Sequence, residues 1–183
     1  MTGCWANQLK EELSQGDILS QVLVGTASNP KVTLIKGLTR KGGVTPWEES
    51  AWKPDGNGLG YYLARGRDIH VVVLSEDCEI DKDDGKAPVL VAPVFPISVI
   101  QDLSAQEIVR SRKRYPFLPL PKLDELIDES YVDLRCITYI DRKLIAAAER
   151  KASMNQQGVE DLQKQIIAFF THIPFERLTV PAG

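Results

Sequence analysis

Cysteine, histidine and long apolar runs are all scarce in this sequence. Its 183 residues include three cysteines, Cys4, Cys78 and Cys136, and two histidines, His70 and His172. The cysteines are odd in number and lack CxxC spacing, which predicts reduced thiols in a cytoplasmic protein. No apolar run approaches the roughly 20 residues of a membrane-spanning helix, and no basic segment precedes an apolar core at the start. We therefore expect neither a membrane partner nor a secretory signal.

A strong excess of charge of either sign is also absent. The 22 basic and 25 acidic side chains give a net charge of −3, which argues against a protein coated in nucleic-acid contacts. Hydrophobic residues at 43% and charged residues at 26% are typical of a globular protein. We interpret residues 1–183 as a single domain, long enough to bury a full core.

Short strands are predicted for the middle of the chain, and helices for its ends and one insertion. Runs of branched and aromatic residues predict the strands, which are 17–24, 31–36, 69–75, 88–95 and 131–140. Apolar spacing, with a capping box at Ser104 and Glu107, predicts the helices, which are 5–13, 104–114, 143–153 and 159–173. The proline-rich 116–121 segment is expected to be extended but not central in a sheet. The pattern predicts a mainly β fold with flanking helices, either a small barrel or a twisted sheet.

Two apolar features suggest contact surfaces. A long loop over 39–60, rich in glycine and proline, carries Trp47 and Trp52. These tryptophans either pack onto the sheet or bind a partner protein. The apolar stripe of the last helix, 159–173, forms part of the core or a homodimer seam.

The strand at 69–75 leads directly into an acidic segment, SEDCEIDKDDGK. Asp77, Cys78 and Glu79 serve acid–base work or ligand recognition if the strand presents them at a surface. Cys78 as a nucleophile would need a nearby base or cation, and His70 is the candidate. The alternative is a solvated turn in which Cys78 is buried as a small apolar residue.

No metal or cofactor is expected from the acidic segment. Its acids alternate from Glu79 to Asp84, but a calcium-binding EF-hand needs glycine at its sixth position and glutamate at its twelfth. Counted from Glu79, those positions hold Asp84 and Leu90. The spacing therefore excludes this calcium loop.

Basic side chains are candidates for contacts with RNA. One cluster, followed by the aromatic residues of 115–117, consists of Arg110, Arg112, Lys113 and Arg114. It could follow a phosphate backbone, with the aromatic rings as stacking faces, or simply end a solvated helix. Asp133 and Arg135, two positions apart on a predicted strand, either stabilise a phosphate or form a surface ion pair.

Four segments, in this order, resemble the PemK/MazF-like toxin family. They read GDI at 16–18, VVVLS at 71–75, VLVAPV at 89–94 and SYVDLRCITYIDRKL at 130–144. The resemblance implies a small SH3-like β barrel, here with a helical insertion at 104–114 and a C-terminal helix at 159–173. It also implies metal-independent RNA cleavage, in which a ribose 2′-OH attacks the adjacent phosphate, and it implies frequent dimers.

That chemistry requires a base for the hydroxyl, an acid for the leaving oxygen and a cation for the phosphorane. If the chain cleaves RNA, we expect Asp77 and Glu79 near the reacting hydroxyl. We expect Arg135, Arg67 and His70 around the phosphate.

The sequence departs from the family motifs at these same places. Ile69–His70 stands where family members have arginine and proline, with Arg67 farther upstream. Glu76–Asp77 replaces asparagine and aspartate. In the late segment, Arg135 occupies the position of the first acid and Thr138 that of the arginine.

Three functions are consistent with these residues. The first is a toxin-like endoribonuclease, or a descendant that kept RNA binding, with an antitoxin as partner if it is a toxin. The second is a non-catalytic protein-binding or regulatory module on the same barrel, such as a phage or mobile-element accessory protein. The third is a hydrolase that uses Cys78 as its nucleophile.

Overall fold

Strands and short helices alternate along the part of the chain that the computed structural model describes, residues 3–25, 33–34, 48–49, 66–80 and 87–178. The strands are β1 (Asp17–Gly25), β2 (Thr33–Leu34), β3 (Glu48–Glu49), β4 (Gly66–Val73), β5 (Val89–Pro96), β6 (Phe117–Leu120), β7 (Ser130–Asp133), β8 (Thr138–Ile140) and β9 (Glu149–Ser153). The helices are α1 (Asp77–Ile80), α2 (Leu103–Arg110), α3 (Arg142–Ala146) and α4 (Gln156–Thr171).

The chain divides into two compact units. One consists of Met1–Val22 and Asp68–Gly183, and the other is Leu23–Arg67. In the second unit, β2 and β3 form a two-stranded antiparallel sheet. The predicted strand over 31–36 is described only at β2. Apart from β3, the predicted loop over 39–60 lies outside the described residues, as do Trp47 and Trp52.

Seven strands form one sheet in the order β6-β7-β5-β4-β1-β9, with β8 also paired to β5. The pairs β4/β5, β5/β7, β5/β8, β6/β7 and β1/β9 are antiparallel. The prediction of a mainly β fold with flanking helices is confirmed. The strand pairing itself forms an open path that ends at β6 and β9, so it does not establish a closed barrel.

A three-residue turn interrupts the strand that was predicted over 131–140. Val94 pairs with Val132, and an unbroken register would place Arg135 opposite Val91, but Val91 pairs with Thr138 instead. The looped-out residues form a 3-10 turn, Leu134–Cys136. Pro93 has no N–H to donate, and it lies opposite the start of this turn, where a central strand tolerates proline.

Both faces of the central strands are buried. Val71, Val72 and Val73 of β4 are fully inaccessible to solvent. The main core cluster contains Val72 together with Leu162 of α4, so α4 packs on one face of the sheet. By strand alternation, Val71 and Val73 point to the other face.

The edge strands β6 and β9 contribute to the same cluster. Leu118 and Leu120 of β6, Ala152 of β9 and Leu162 of α4 all belong to it. Residues from the two ends of the strand order therefore belong to one core that includes α4. The proline-rich segment is indeed extended and lies at an edge, as predicted.

The predicted helix over 5–13 is wrong. Trp5 forms an isolated antiparallel bridge with Met154 instead, and its indole Nε1 donates to the carbonyl of Pro121 at 3.0 Å. Leu9, which was expected on the same apolar stripe, is exposed. Long-range pairing of the backbone overrides local helical spacing here.

The predicted helix over 143–153 is also largely wrong. Only α3 is helical, and β9 follows it because Glu149–Ser153 pairs with β1. Helix α2 begins one position earlier than predicted, since Asp102 and not Ser104 is its N-cap: the Asp102 carboxylate accepts the Ser104 N–H at 2.9 Å. It ends at Arg110 and not at Arg114.

Helix α4 confirms the predicted last helix and starts three positions before it. The Asn155 side chain caps it by accepting the Gly158 N–H at 2.9 Å. Leu162 is buried, whereas Phe170 is 67% exposed, so the predicted stripe is only partly core. No helix within the described ranges is long and apolar enough to cross a membrane.

Candidate functional site

Within the acidic segment, residues Asp77–Ile80 form a single helical turn, α1. Its first residue, Asp77, is exposed and accepts the backbone N–H of Gln15 at 2.7 Å through Oδ1. At its other end, Arg142 donates from Nη1 to the carbonyl of Ile80. Arg142 belongs to the late segment that resembles the toxin family, so this segment and the acidic turn are in direct contact.

Asp77 lines a cavity of about 480 Å³, which we call the acidic cavity. Its other polar lining residues include Lys10, Gln15, Glu76, Cys78 and Gln163. Gln163 donates to the Gln15 side-chain oxygen at 2.8 Å, and Gln15 donates to the carbonyl of Leu74 at 2.6 Å. Its charged lining residues are the carboxylates of Glu76 and Asp77 and the ammonium group of Lys10. This excess of negative charge favours a polar or cationic ligand over a phosphate.

Cys78 lies at this cavity on α1, not on the strand with His70. Its side chain is exposed, and its Sγ is 3.8 Å from the Glu76 carboxylate. Cys78 and His70 therefore lie on different elements, a helical turn and a strand. Glu79 is exposed on the same turn.

His70 and Arg67 are both on β4. His70 pairs with Val94 of β5 and is partly buried. The pKa of Glu149 on β9 is lowered, first by a hydrogen bond from Lys151 and, as the smallest of several effects, by His70. The backbone of Arg67 is in the strand, and its side chain lies outside the described residues.

Arg135 lies on the 3-10 turn that interrupts the β7–β8 strand. Its Nε and Nη2 donate to the two oxygens of Asp133 at 2.9 and 2.7 Å. The same carboxylate accepts the Arg135 backbone N–H at 3.0 Å, and so caps the turn. The hydrogen bond with Asp133 raises the pKa of Arg135 above its usual value. The predicted pair is confirmed, although a turn and not a strand face brings it together.

An aromatic ring fixes the plane of this arginine. The guanidinium carbon of Arg135 lies 4.7 Å from the centroid of the Phe117 ring. Phe117 packs edge-on against Tyr131, with ring centroids 5.3 Å apart. Arg135 is thus held both by a buried carboxylate and by a ring of β6, while 58% of its side chain is exposed.

The predicted basic cluster divides into two parts. Arg110 donates two hydrogen bonds of 2.8 Å to Glu129, whose pKa is lowered as a result. Arg112 pairs with Asp161 at 2.7 Å and lies over the Phe175 ring at 4.6 Å. Lys113 and Arg114 are exposed, and neither forms a salt bridge with another described residue.

Backbone hydrogen bonds connect the segment that carries Lys113 and Arg114 to the turn that carries Arg135. The Phe117 N–H donates to the carbonyl of Arg114 at 3.2 Å, and the Leu134 N–H donates to the carbonyl of Pro116 at 2.9 Å. The segment that carries the cations is therefore continuous with the turn that carries Arg135. We call Lys113, Arg114, Phe117 and Arg135 the Arg135 surface. Asp77 is held separately, by Gln15.

The sequence analysis missed one buried polar network. Asp17 is completely buried; its Oδ1 accepts from the Ser153 hydroxyl at 2.6 Å, and its Oδ2 accepts from the Ser14 N–H at 2.9 Å and from Arg150 at 3.3 Å. Arg150 also donates to the carbonyl of Glu12 at 2.6 Å. This network ties β1 to β9 and to the turn before β1, so the aspartate of the GDI motif has a structural role here.

A second cavity, of about 320 Å³, lies where the N-terminal end of α4 meets β6. Cys4, Arg112, Asp161 and Met154 are among its lining residues. Burial raises the pKa of the Cys4 thiol to about 11. Met154 also lines the acidic cavity, so the two cavities are neighbours.

No metal centre is apparent among the residues that the structure describes, since no three histidine, cysteine, aspartate or glutamate side chains there are grouped to hold an ion. Comparison with known proteins gives no further assignment. No protein-family model matches the chain, and no curated protein matches it.

Proposed function

We propose that this chain is a divergent PemK/MazF-like protein that binds single-stranded RNA on the Arg135 surface. The observation that carries the proposal is the guanidinium of Arg135, which lies over Phe117 at 4.7 Å. Phe117 begins the strand that follows the exposed Lys113 and Arg114 in the sequence. Bases of single-stranded RNA stack on guanidinium planes and on aromatic rings, and lysine or arginine side chains neutralise the phosphates.

The fold part of the proposal is an SH3-like barrel with a helical insertion and a C-terminal helix. Its support is that Leu118 of β6 and Ala152 of β9 belong to one core cluster. A core shared by strands at opposite ends of the pairing order is what the curvature of a small barrel would produce.

RNA cleavage is the stronger form of the proposal. In that form, Asp77 and Glu79 act at the ribose hydroxyl, and Arg135, Arg67 and His70 surround the phosphate. Binding without cleavage has more support. Two side chains that cleavage would use already have partners within the chain: Asp77 accepts the Gln15 N–H, and Arg135 donates to Asp133. A cytoplasmic location and an antitoxin partner belong to the toxin form of this proposal.

The test is the anisotropy of a fluorescein-labelled, mixed-sequence single-stranded RNA in EDTA. We expect Lys113→Ala/Arg114→Ala and Arg135→Ala to weaken binding at least tenfold. Each removed cation should lower the slope of log K against log salt by about 0.7. Lys122→Ala and Lys143→Ala are matched controls, since both lysines are exposed and lie outside this surface. Equal affinities for the surface variants and the controls would refute RNA binding there.

The same samples test cleavage. Products with 2′,3′-cyclic phosphate ends, absent with Asp77→Ala/Glu79→Ala, would establish a metal-independent ribonuclease. Bound but intact RNA would establish binding alone.

The second candidate is a non-catalytic protein-binding module. Two of the four cations of the predicted basic cluster form ion pairs within the chain, Arg110 with Glu129 and Arg112 with Asp161. These two arginines are therefore less available to phosphates, which favours this candidate. No RNA affinity, together with co-purification of one defined protein, would establish this candidate.

A further inference from the structure

Residues Gly3–Ala6 lie along the end of β9 as an added length of strand, and we call them the strap. The Ala6 N–H donates to the carbonyl of Ser153 at 2.8 Å, and the Asn155 N–H donates to the carbonyl of Cys4 at 2.9 Å. Between these bonds, Trp5 forms its bridge with Met154. The backbone of the strap is thus recognised as a peptide strand would be at a sheet edge.

One side chain anchors the strap across the molecule. Trp5 is only 8% exposed, and its indole N–H reaches the carbonyl of Pro121, just beyond β6. The Asn155 side-chain amide donates to the carbonyls of both Gly3 and Trp5, at 2.6 and 3.1 Å. Trp5 therefore connects the ends of β6 and β9, through its indole N–H to Pro121 and through its backbone bridge with Met154.

The groove beneath the strap is shaped for a main chain. Gly158 lies in the first turn of α4, where a Cβ would come within 2.4 Å of the Cys4 carbonyl oxygen. Glycine is less favourable in a helix than alanine. Here its small size allows the strap backbone to approach the helix closely.

The connection from the strap to the rest of the chain lies on the surface. Asn7 and Gln8 form an exposed bend, and Leu9 is also exposed. A change at this bend would release the strap, and the first contact after it is that of the Lys10 N–H with the Ser153 hydroxyl oxygen at 3.5 Å. Its main contacts, through Trp5 and the backbone of 3–6, are made before the bend.

We propose that the groove of the strap is an exchangeable peptide-docking site, and that its other occupant is the strap of a second copy of this chain. A second copy supplies the same tryptophan and the same backbone groups, so exchange recovers every contact that it breaks. Because Cys4 lines one cavity and Ala6 the other, each cavity would then be completed by the partner copy. This inference does not depend on RNA binding.

The experiment uses the full chain with a site for a sequence-specific protease inserted between Asn7 and Gln8, cut after folding. A fluorophore-labelled peptide of residues 1–7 is then added, and its anisotropy is followed. We expect saturable binding to the cut protein and none to the uncut protein. A Trp5→Ala peptide should bind at least 100-fold more weakly. A Gly3→Ala peptide is the matched control and should bind normally, since a Cβ at Gly3 has no neighbour closer than 3.9 Å.

Self-exchange is tested on the uncut chain by light scattering at increasing concentration. We expect a dimer whose fraction rises with concentration and which is absent in Trp5→Ala. The proposal is overturned if the labelled peptide does not bind the cut protein. It is overturned equally if the peptide binds but the uncut chain remains monomeric, because the groove is then filled only from within its own chain. Changing the peptide, and not the protein, keeps the first test independent of folding defects.

Discussion

Arg135 and Asp133 form a two-point ion pair in which the carboxylate is buried and the guanidinium is exposed. The exposed fractions of the two side chains are 58% for Arg135 and 6% for Asp133. The carboxylate therefore orients the arginine without hiding it from a ligand. A surface arginine that is held in one orientation loses less entropy on binding than a free one.

The first prediction concerns the coupling energy of this pair. A double-mutant cycle with Asp133→Asn and Arg135→Gln should give a coupling of about 1–2 kcal/mol in the free energy of unfolding, because a buried carboxylate loses its charged partner. Urea denaturation measures it. The matched control is Arg110 with Glu129, which has the same two-point geometry but is exposed at both ends, and its coupling should be below about 1 kcal/mol. Equal coupling in both pairs would contradict the prediction.

The second prediction concerns the glycine of the GDI motif. Gly16 has φ +85°, and a Cβ there would lie 2.9 Å from the Met154 Cβ. Gly16→Ala should lower the free energy of unfolding by more than about 1 kcal/mol, since both the backbone conformation and the packing oppose a side chain. Thermal denaturation measures the loss. Gly3→Ala, where the space is open, should change stability by less than about 0.5 kcal/mol, and a similar loss at both positions would count against this explanation.

The third prediction concerns thiol reactivity and its dependence on pH. Burial raises the pKa of Cys4 from 9.0 to about 11, so at pH 8 its thiolate fraction is lower than that of an ordinary thiol on the order of 100-fold. Burial and the nearby Asp133 also raise the pKa of Cys136. Iodoacetamide should therefore modify exposed Cys78 first, Cys136 next and Cys4 last, with the Cys4 rate rising as the pH approaches 11.

Mass spectrometry of each cysteine peptide follows this order. Alkylation of Cys4 as fast as that of Cys78 at pH 8 would contradict the burial of the strap. Unchanged activity after complete alkylation of Cys78 would exclude the hydrolase that uses this thiol.

The sequence predicted secondary structure correctly where the spacing of apolar residues within one element reflects which of its faces are buried. The apolar runs of β4 and β5 predicted strands because both of their faces are buried, and the stripe of α4 predicted a helix because one face packs on the sheet. The predicted helix over 143–153 failed because the pairing of β9 with β1 involves residues more than a hundred positions apart. Local spacing contains no information on such a partner.

The candidate site was predictable residue by residue but not as an arrangement. The pair of Asp133 and Arg135 could be expected from its spacing, yet the 3-10 turn that creates it depends on a register shift along β5. The contact of Arg135 with Phe117 joins the 3-10 turn to β6, and no local pattern signals it. Asp17 was visible as part of a motif, but its burial follows from Ser153 and Arg150, which are far away in the sequence.

The docking of Trp5 also has a consequence for the time course of folding. Its partners Pro121 and Asn155 are 116 and 150 positions farther along the chain. Chains fold while they are being synthesised, and contacts between distant residues form slowly. On the ribosome, Trp5 therefore lacks its full set of partners until Asn155 has been made, and a nascent chain that stops before Asn155 leaves this tryptophan incompletely paired. The position of this one residue makes the completion of the fold depend on nearly the whole length of the chain.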